Sequence, residues 1–241
     1  MTDDEKIKKY RVSYTKVTNN STVDGNDEFP VVPCYLDVIP DYLCLYGDPK
    51  DYNKTNMTCV CFYEFDSEFD GINGLFNAIY YENEKLLDFY KDRFKNVRMV
   101  VEPDYSQIRD IELIENKYRQ FKARVVSLWF INEMNIPVIP NLNYAGEYSM
   151  EYMLDGIKEA TMISVSLKGI MDKECEEELL IKAIKNAVDN LPNLKKIICF
   201  STSPNDDKNY SYFKYAKDEG IEVVIPHNSM RLRNMELSSK N

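Results

Sequence analysis

Carboxylates, hydroxyls, amides and a lysine recur at the ends of short apolar runs in this chain. Val97–Val101 leads into Glu102-Pro103-Asp104-Tyr105-Ser106, and the run through Phe65 ends at Asp66. Ile136–Pro140 ends in Asn141-Leu142-Asn143-Tyr144, and Thr161–Leu167 ends in Lys168-Gly169. On strands, residues two apart share a face, which pairs Glu64 with Asp66 and Glu102 with Asp104. Carboxylates held close together repel unless a cation neutralises them or one takes up a proton. Two uses follow: an oxygen-bound divalent cation, Mg²⁺ or Mn²⁺, on Asp66 and Asp104, or a general acid/base pair. Asp104 is the candidate ligand or general base, Asp66 its partner, and Ser106 a third catalytic candidate. Asn143 is a substrate-orienting donor, and Lys168 or Arg124 an anion contact.

Plainer duties compete with each assignment. Asp66 and Asp104 both precede helical patterns, where aspartate is a favoured cap. Pro103 fixes the chain's entry to Asp104 and tilts that residue towards chemistry. Arg119 and Arg124 lie beside an apolar stripe, from which either could reach back to a carboxylate as a structural pair. His227 is the only histidine, so His-rich transition-metal sites are excluded, and a solvated loop position is the preferred reading for it. No Gly-x-Ser-x-Gly, Gly-x-Gly-x-x-Gly or P-loop motif occurs, which argues against a serine hydrolase and against the usual nucleotide-binding forms.

The elements that must position these residues read as alternating strands and helices. Strands are expected to begin near 58, 97, 136, 161, 196 and 221. Helical spacing runs from a cap at Asp70 through Phe94, from Ile111 to about Met134, over Tyr148–Glu159, over Cys175–Leu191 and over Tyr210–Glu219. Strict alternation implies parallel strands with right-handed crossovers. A complete or incomplete barrel is favoured, because polar residues close almost every strand; an open doubly wound sheet is the alternative. Irregular strands before residue 50 would bring the count to seven or eight. The chain divides into a polar N-terminal arm (1–28), a single α/β domain (29–229) and a polar C-terminal tail (230–241).

Composition sets further bounds. The 241 residues carry 40 acids against 30 bases, a net charge of −10, which disfavours phosphate backbones and anionic membranes as partners. No apolar run approaches the ~18 residues of a spanning helix, and the first residues lack a signal-peptide pattern, so a cytoplasmic protein is expected. None of the six cysteines forms a Cys-x-x-Cys pair, and Cys59-x-Cys61 reads as two small core residues on one strand face.

Several blocks together resemble a known family. They are Phe62-Tyr63-Glu64-Phe65-Asp66 with Phe69, Pro103-Asp104-Tyr105-Ser106 with Asp110, and Asn116-x-Tyr118-Arg119 with Arg124. Ile136-Pro137-Val138-Ile139-Pro140-Asn141, Asp155-Gly156-Ile157 and Ser164–Gly169 complete the series. The chain is similar over about residues 59–202 to an uncharacterised domain-of-unknown-function family found in phages, plasmids and bacteria. The resemblance implies a shared fold and site and a phage or mobile-element origin, but no reaction. Where that family carries a tryptophan after the Pro-rich strand, this chain has Tyr144, counted here as a substrate-binding candidate. The leading expectation is an enzyme acting on a small polar or phosphorylated substrate at an acidic site on the strand C-terminal face. The alternative is an accessory protein that binds a host or phage protein through its acidic surface.

Overall fold

The computed structural model describes residues 2–170 and 173–240. The chain opens with two helices, α1 (Asp3–Tyr10) and α2 (Thr15–Thr18), and a two-stranded antiparallel ribbon, β1 (Val23–Asp24) and β2 (Phe29–Pro30). The polar arm is thus helical at its start. A capping box explains this: Thr2 accepts from the Glu5 amide, and Glu5 accepts from the Thr2 amide.

Seven parallel strands follow. In chain order β3 (Tyr42–Leu45), β4 (Thr58–Cys61), β5 (Met99–Val101) and β6 (Val138–Ile139) make one sheet. β7 (Met162–Ser166), β8 (Lys196–Phe200) and β9 (Glu222–Val224) make a second. Strand order follows chain order in both, without the reversal that marks the switch point of a doubly wound sheet. The ladders form two sheets rather than one continuous barrel. Single parallel bridges join them, Asn141 with Ser164 and His227 with Tyr42. At the first bridge Ser164 N donates to Pro140 O at 2.7 Å and Leu142 N to Ser164 O at 2.9 Å. At the second Leu43 N donates to His227 O at 2.8 Å.

Alternation along the strands builds two cores. One face contributes Leu43, Cys59, Cys61, Met99, Val101, Ile139, Met162, Ile198 and Phe200, a cluster shared by both sheets. The other face, with Val60, Val100, Val138, Ile163, Val165 and Ile197, packs under the helices. The chief covering elements are α6 (Leu113–Met134), which buries Trp129 and Phe130, and α7 (Glu174–Asn190), which buries Leu180 and Ile184.

The helix expected from Asp70 to Phe94 is two pieces, α4 (Leu75–Tyr80) and α5 (Glu84–Phe94), preceded by the short α3 (Asp66–Phe69). Asp70 does not open either α4 or α5, whose N-caps are Gly74 and Asn83; it closes α3, its amide donating to Asp66 O. Its backbone is extended and its carboxylate pairs with Lys122, while Gly71 at φ +101° turns the chain before α4. Tyr148–Glu159 is not an α-helix but a 3₁₀ turn (Glu147–Glu151) and loop. The carbonyls of Met153 and Asp155, which a helix would use internally, accept instead from the Arg124 guanidinium at 3.1 and 3.0 Å. Tyr210–Glu219 is covered by α8 (Asp206–Ser211) and α9 (Lys214–Asp218). The C-terminal tail forms α10 (Ser229–Ser238), capped by Asn228 and anchored by buried Arg231 on Asp206 and on Ile225 O. Among the described residues no helix is long and apolar enough to cross a membrane.

Candidate functional site

The Pro103 turn separates the two carboxylates that strand periodicity would place together. Glu102 directly follows β5 on the helix side, is 1% exposed, and pairs with Arg124, itself 0% exposed. Ser127 Oγ and the Asn141 amide donate to the same carboxylate at 3.1 and 3.2 Å. Arg124, on the buried face of α6, is thereby engaged by Glu102 and two backbone carbonyls and not by the strand-end groups where an anion contact was expected. Past Pro103 the chain turns, and Asp104 lies at the end of the strands, partly open to solvent.

Asp104 Oδ1 accepts from Asn141 Nδ2 at 2.7 Å. Loss of water around its carboxyl pushes its pKa from the ordinary 3.8 up to about 7; Asp66 and Glu102 add to the rise, while the Asn141 bond and Lys168 oppose it. Asn141 is buried and sits over the shared core. Its Oδ1 accepts from the Tyr63 hydroxyl at 2.9 Å. That hydroxyl also lies 2.6 Å from Ser164 Oγ, which reaches Ile198 O at 3.2 Å. Burial holds the Tyr63 phenol protonated, its pKa well above the ordinary range. Tyr63 and Ser164, both at most 3% exposed, were not singled out from sequence. A signal existed for Tyr63: it continues the Cys59, Cys61 alternation onto the inner face.

Around this centre stand the remaining candidates. Lys168 is exposed, and its Nζ donates to Tyr63 O at 2.7 Å. Asn143 Nδ2 donates to Tyr105 O at 2.6 Å, so that amide braces the Asp104 loop. The Tyr144 hydroxyl is buried and has no hydrogen-bond partner among the described residues; burial, then the charges of Glu176 and Asp104, raise its pKa. Glu64 accepts from Gly47 N at 2.7 Å, and burial raises its pKa.

Asp66 and Ser106 form a neighbouring group. Ser106 donates to Asp66 from its amide at 3.0 Å and from Oγ at 2.7 Å, and Arg119 Nη1 reaches Asp66 Oδ2 at 2.7 Å. Asp66 is the first residue of α3, and no side chain caps that helix. Neither Asp66 nor Asp104 therefore caps the helix it precedes in sequence. Asp66 tethers the loop that carries Asp104 and supplies negative potential to it. No group of three or more His, Cys, Asp or Glu placed to hold a metal ion occurs among the described residues. His227 is exposed and engages Tyr42 through its backbone.

Clefts of about 460 and 480 Å³ lie along α1 and α2 and between α1 and Tyr80–Glu84. Their walls are mostly exposed side chains, and neither holds a carboxyl shifted towards neutral as Asp104 is. Chemistry, not volume, selects the strand ends.

This centre falls inside the part of the chain that comparison with other proteins covers. A protein of Mycobacterium phage L5, named Gene 1 protein, is 24% identical over 155 residues, which is 64% of this chain and 62% of that protein. The match therefore spans less than two thirds of the phage protein. Residues 24–226, which include every strand of both parallel sheets, match the family model described as Domain of unknown function (DUF4417), and the chain belongs to that family.

Proposed function

We propose that this protein is an enzyme of small polar substrates, with Asp104 as general acid/base at the C-terminal ends of its parallel strands. The observation that carries the reading is Asp104 itself: a carboxyl partly open to solvent, poised at about 7, and held by an amide that is in turn held from below. A group that titrates near neutral pH is suited to both taking and giving a proton. Lys168 stands beside it to meet an anionic group of the substrate, phosphate included, and the unpartnered Tyr144 hydroxyl supplies a hydrogen bond. Asp66, Ser106 and Asn143 position the loop.

The same reading takes the seven strands as an incomplete (β/α) barrel closed through the two single bridges. Register supports it. Cys44, Val60, Val100 and Val138 lie level, as do Asn141, Ser164, Ile198 and Val224. The path round the strands steps three residues from Val138 to Asn141, three from Val224 to His227, and returns at Tyr42, two before Cys44. That is a shear of about eight, the value of the eight-stranded barrels whose sites open at the strand C-termini.

A thermal-shift screen of wild type and Asp104→Asn at pH 6.5, with neutral sugars, nucleosides and sugar phosphates, tests the function. A ligand that binds only the folded state raises the melting temperature by mass action. The expected result is at least one compound that stabilises the wild type and not the variant. Equal stabilisation of both proteins by every active compound would remove Asp104 from the site.

A second reading, a protein-binding accessory, has its own observation. Phe65, Ile72 and Ile114 are 81%, 89% and 73% exposed, and Glu68, Asp110 and Glu112 are exposed acids on the same segments. Such a surface is complementary to a basic, partly apolar segment of a partner protein. Phe65→Ser with Ile114→Ser would abolish capture of that partner from a phage-infected host lysate and leave Asp104-dependent ligand shifts intact.

A further inference from the structure

The side chains between Asp104 and Ile198 O form a row of four polar contacts. Asp104 meets Asn141 at 2.7 Å, Asn141 meets Tyr63 at 2.9 Å, Tyr63 meets Ser164 at 2.6 Å, and Ser164 meets Ile198 O at 3.2 Å. Each contact needs one hydrogen. With Asp104 ionised the row has three to give, one each from the Asn141 amide, the Tyr63 hydroxyl and the Ser164 hydroxyl. With Asp104 protonated it has four, and every contact is filled.

We propose that Asn141, Tyr63 and Ser164 are a hydrogen-bond relay whose direction reverses as Asp104 gains or loses its proton. In the ionised state Ser164 donates to Tyr63, Tyr63 to Asn141 Oδ1, and Asn141 Nδ2 to the carboxylate. In the protonated state Asp104 donates to Asn141 Oδ1, the amide having turned over. Asn141 Nδ2 then donates to Tyr63, Tyr63 to Ser164, and Ser164 to Ile198 O. An amide exchanges its oxygen and nitrogen with little change of shape, and hydroxyls both give and accept, so each state is matched without moving the backbone. The relay deepens the acid–base reading above and rests on it for its use: it lets a crowded carboxyl change charge without orphaning a buried polar group. The other charged or titratable groups that bear on Asp104 are Asp66 from α3, Glu102 on its own segment, Lys168 after β7 and Tyr144 after β6.

The relay makes a prediction that simple burial does not. Ser164→Ala takes two contacts from the protonated arrangement, Tyr63 to Ser164 and Ser164 to Ile198 O, and orphans the Tyr63 hydrogen, but takes only one, Ser164 to Tyr63, from the ionised arrangement. It therefore lowers the Asp104 midpoint, by about one pH unit for one lost neutral hydrogen bond. The experiment is a carbon-13 carboxyl titration by NMR, with Asp104→Asn to assign the resonance. Wild type is expected to titrate near neutral, Ser164→Ala about one unit lower. In a Tyr63→Phe background Ser164→Ala is expected to shift nothing, because the row is already cut. Asn141→Leu cuts the row beside the carboxyl and replaces Tyr63→Phe as the background if that variant does not fold. An Asp104 midpoint that Ser164→Ala leaves unchanged or raises, or an equal fall in the cut background, overturns the relay. A wild-type midpoint near 3.8 with the Ser164 dependence intact sinks the acid–base reading and keeps the relay.

Discussion

Asp104→Asn should make this protein more stable at pH 8 and leave it unchanged near pH 4. The unfolded chain loses the Asp104 proton near 3.8, while the folded chain keeps it to about 7. Between those values the folded state binds the extra proton, so stability falls as pH rises through the window and stays at its lower level above it. A gap of about three pH units corresponds to roughly 4 kcal/mol if the site were sealed. Asp104 retains contact with solvent, which screens part of this, and about 2 kcal/mol is the working figure. For a chain of this size that is about 4–8 °C in melting temperature. Asparagine keeps the shape and still accepts from Asn141 Nδ2, but carries no charge to bury. The assay is thermal denaturation of both proteins at half-unit steps from pH 4 to pH 9. The difference between the two curves matters, since titration of every other group is common to both. It should open from about zero at pH 4 to its full value above pH 7. A difference that stays constant across the range would refute the reasoning. Asp104 would then be an ordinary exposed carboxylate.

Three further outcomes follow from the packing. Arg124→Met strands Glu102, 1% exposed, without its cation and should cost about 3–5 kcal/mol in denaturant unfolding. Gly156 adopts φ +81°, and a Cβ there would lie 2.6 Å from Pro30 O, so Gly156→Ala should cost about 1–3 kcal/mol by the same measurement. Tyr144→Phe removes a buried hydroxyl that has no partner, and the ligand-free protein should keep its melting temperature or gain up to about 1 kcal/mol of stability. Loss of stability in Tyr144→Phe comparable to that of Gly156→Ala would mean that the hydroxyl has a partner in solution.

Strands were legible where apolar, β-branched runs were dense. The runs expected near 58, 97, 136, 161, 196 and 221 are β4 to β9, with starts displaced by two residues at most. Their parallel arrangement followed from the helices between them. The expected helices failed where a side chain elsewhere claimed the backbone. Tyr148–Glu159 has acceptable helical spacing, but Arg124, more than twenty residues earlier, takes the carbonyls of Met153 and Asp155. No local pattern encodes that competition. The polar tail gives no local sign of its helix for a related reason, since α10 depends on Asn228 and on the seat that Ile225 O and Asp206 give Arg231.

The Pro-Asp turn was legible as a place and not as an arrangement. Period-two alternation assigns Glu102 and Asp104 one face, and it would hold if β5 continued to residue 104. The strand ends at Val101, and the proline removes the donor that a further ladder bond would need. One carboxylate is thus left on the helix side, where Arg124 and Ser127 neutralise and satisfy it. The other reaches the strand ends, where a neutral amide is its one close hydrogen-bonding partner among the described residues and Lys168 its opposing charge. That asymmetry is the reason two acids, two residues apart, do different work. Glu102 has a full cation beside it and holds α6 to the strands. Asp104 has lost much of its water, feels Asp66 and Glu102 as like charges, has no cation in bonding contact among the described residues, and so holds its proton towards neutral pH. Reading it required knowing which acid the buried arginine chooses. Sequence places Arg124 on a helix from which it could reach back to a carboxylate; the fold decides which one, by ending a strand one residue before Glu102.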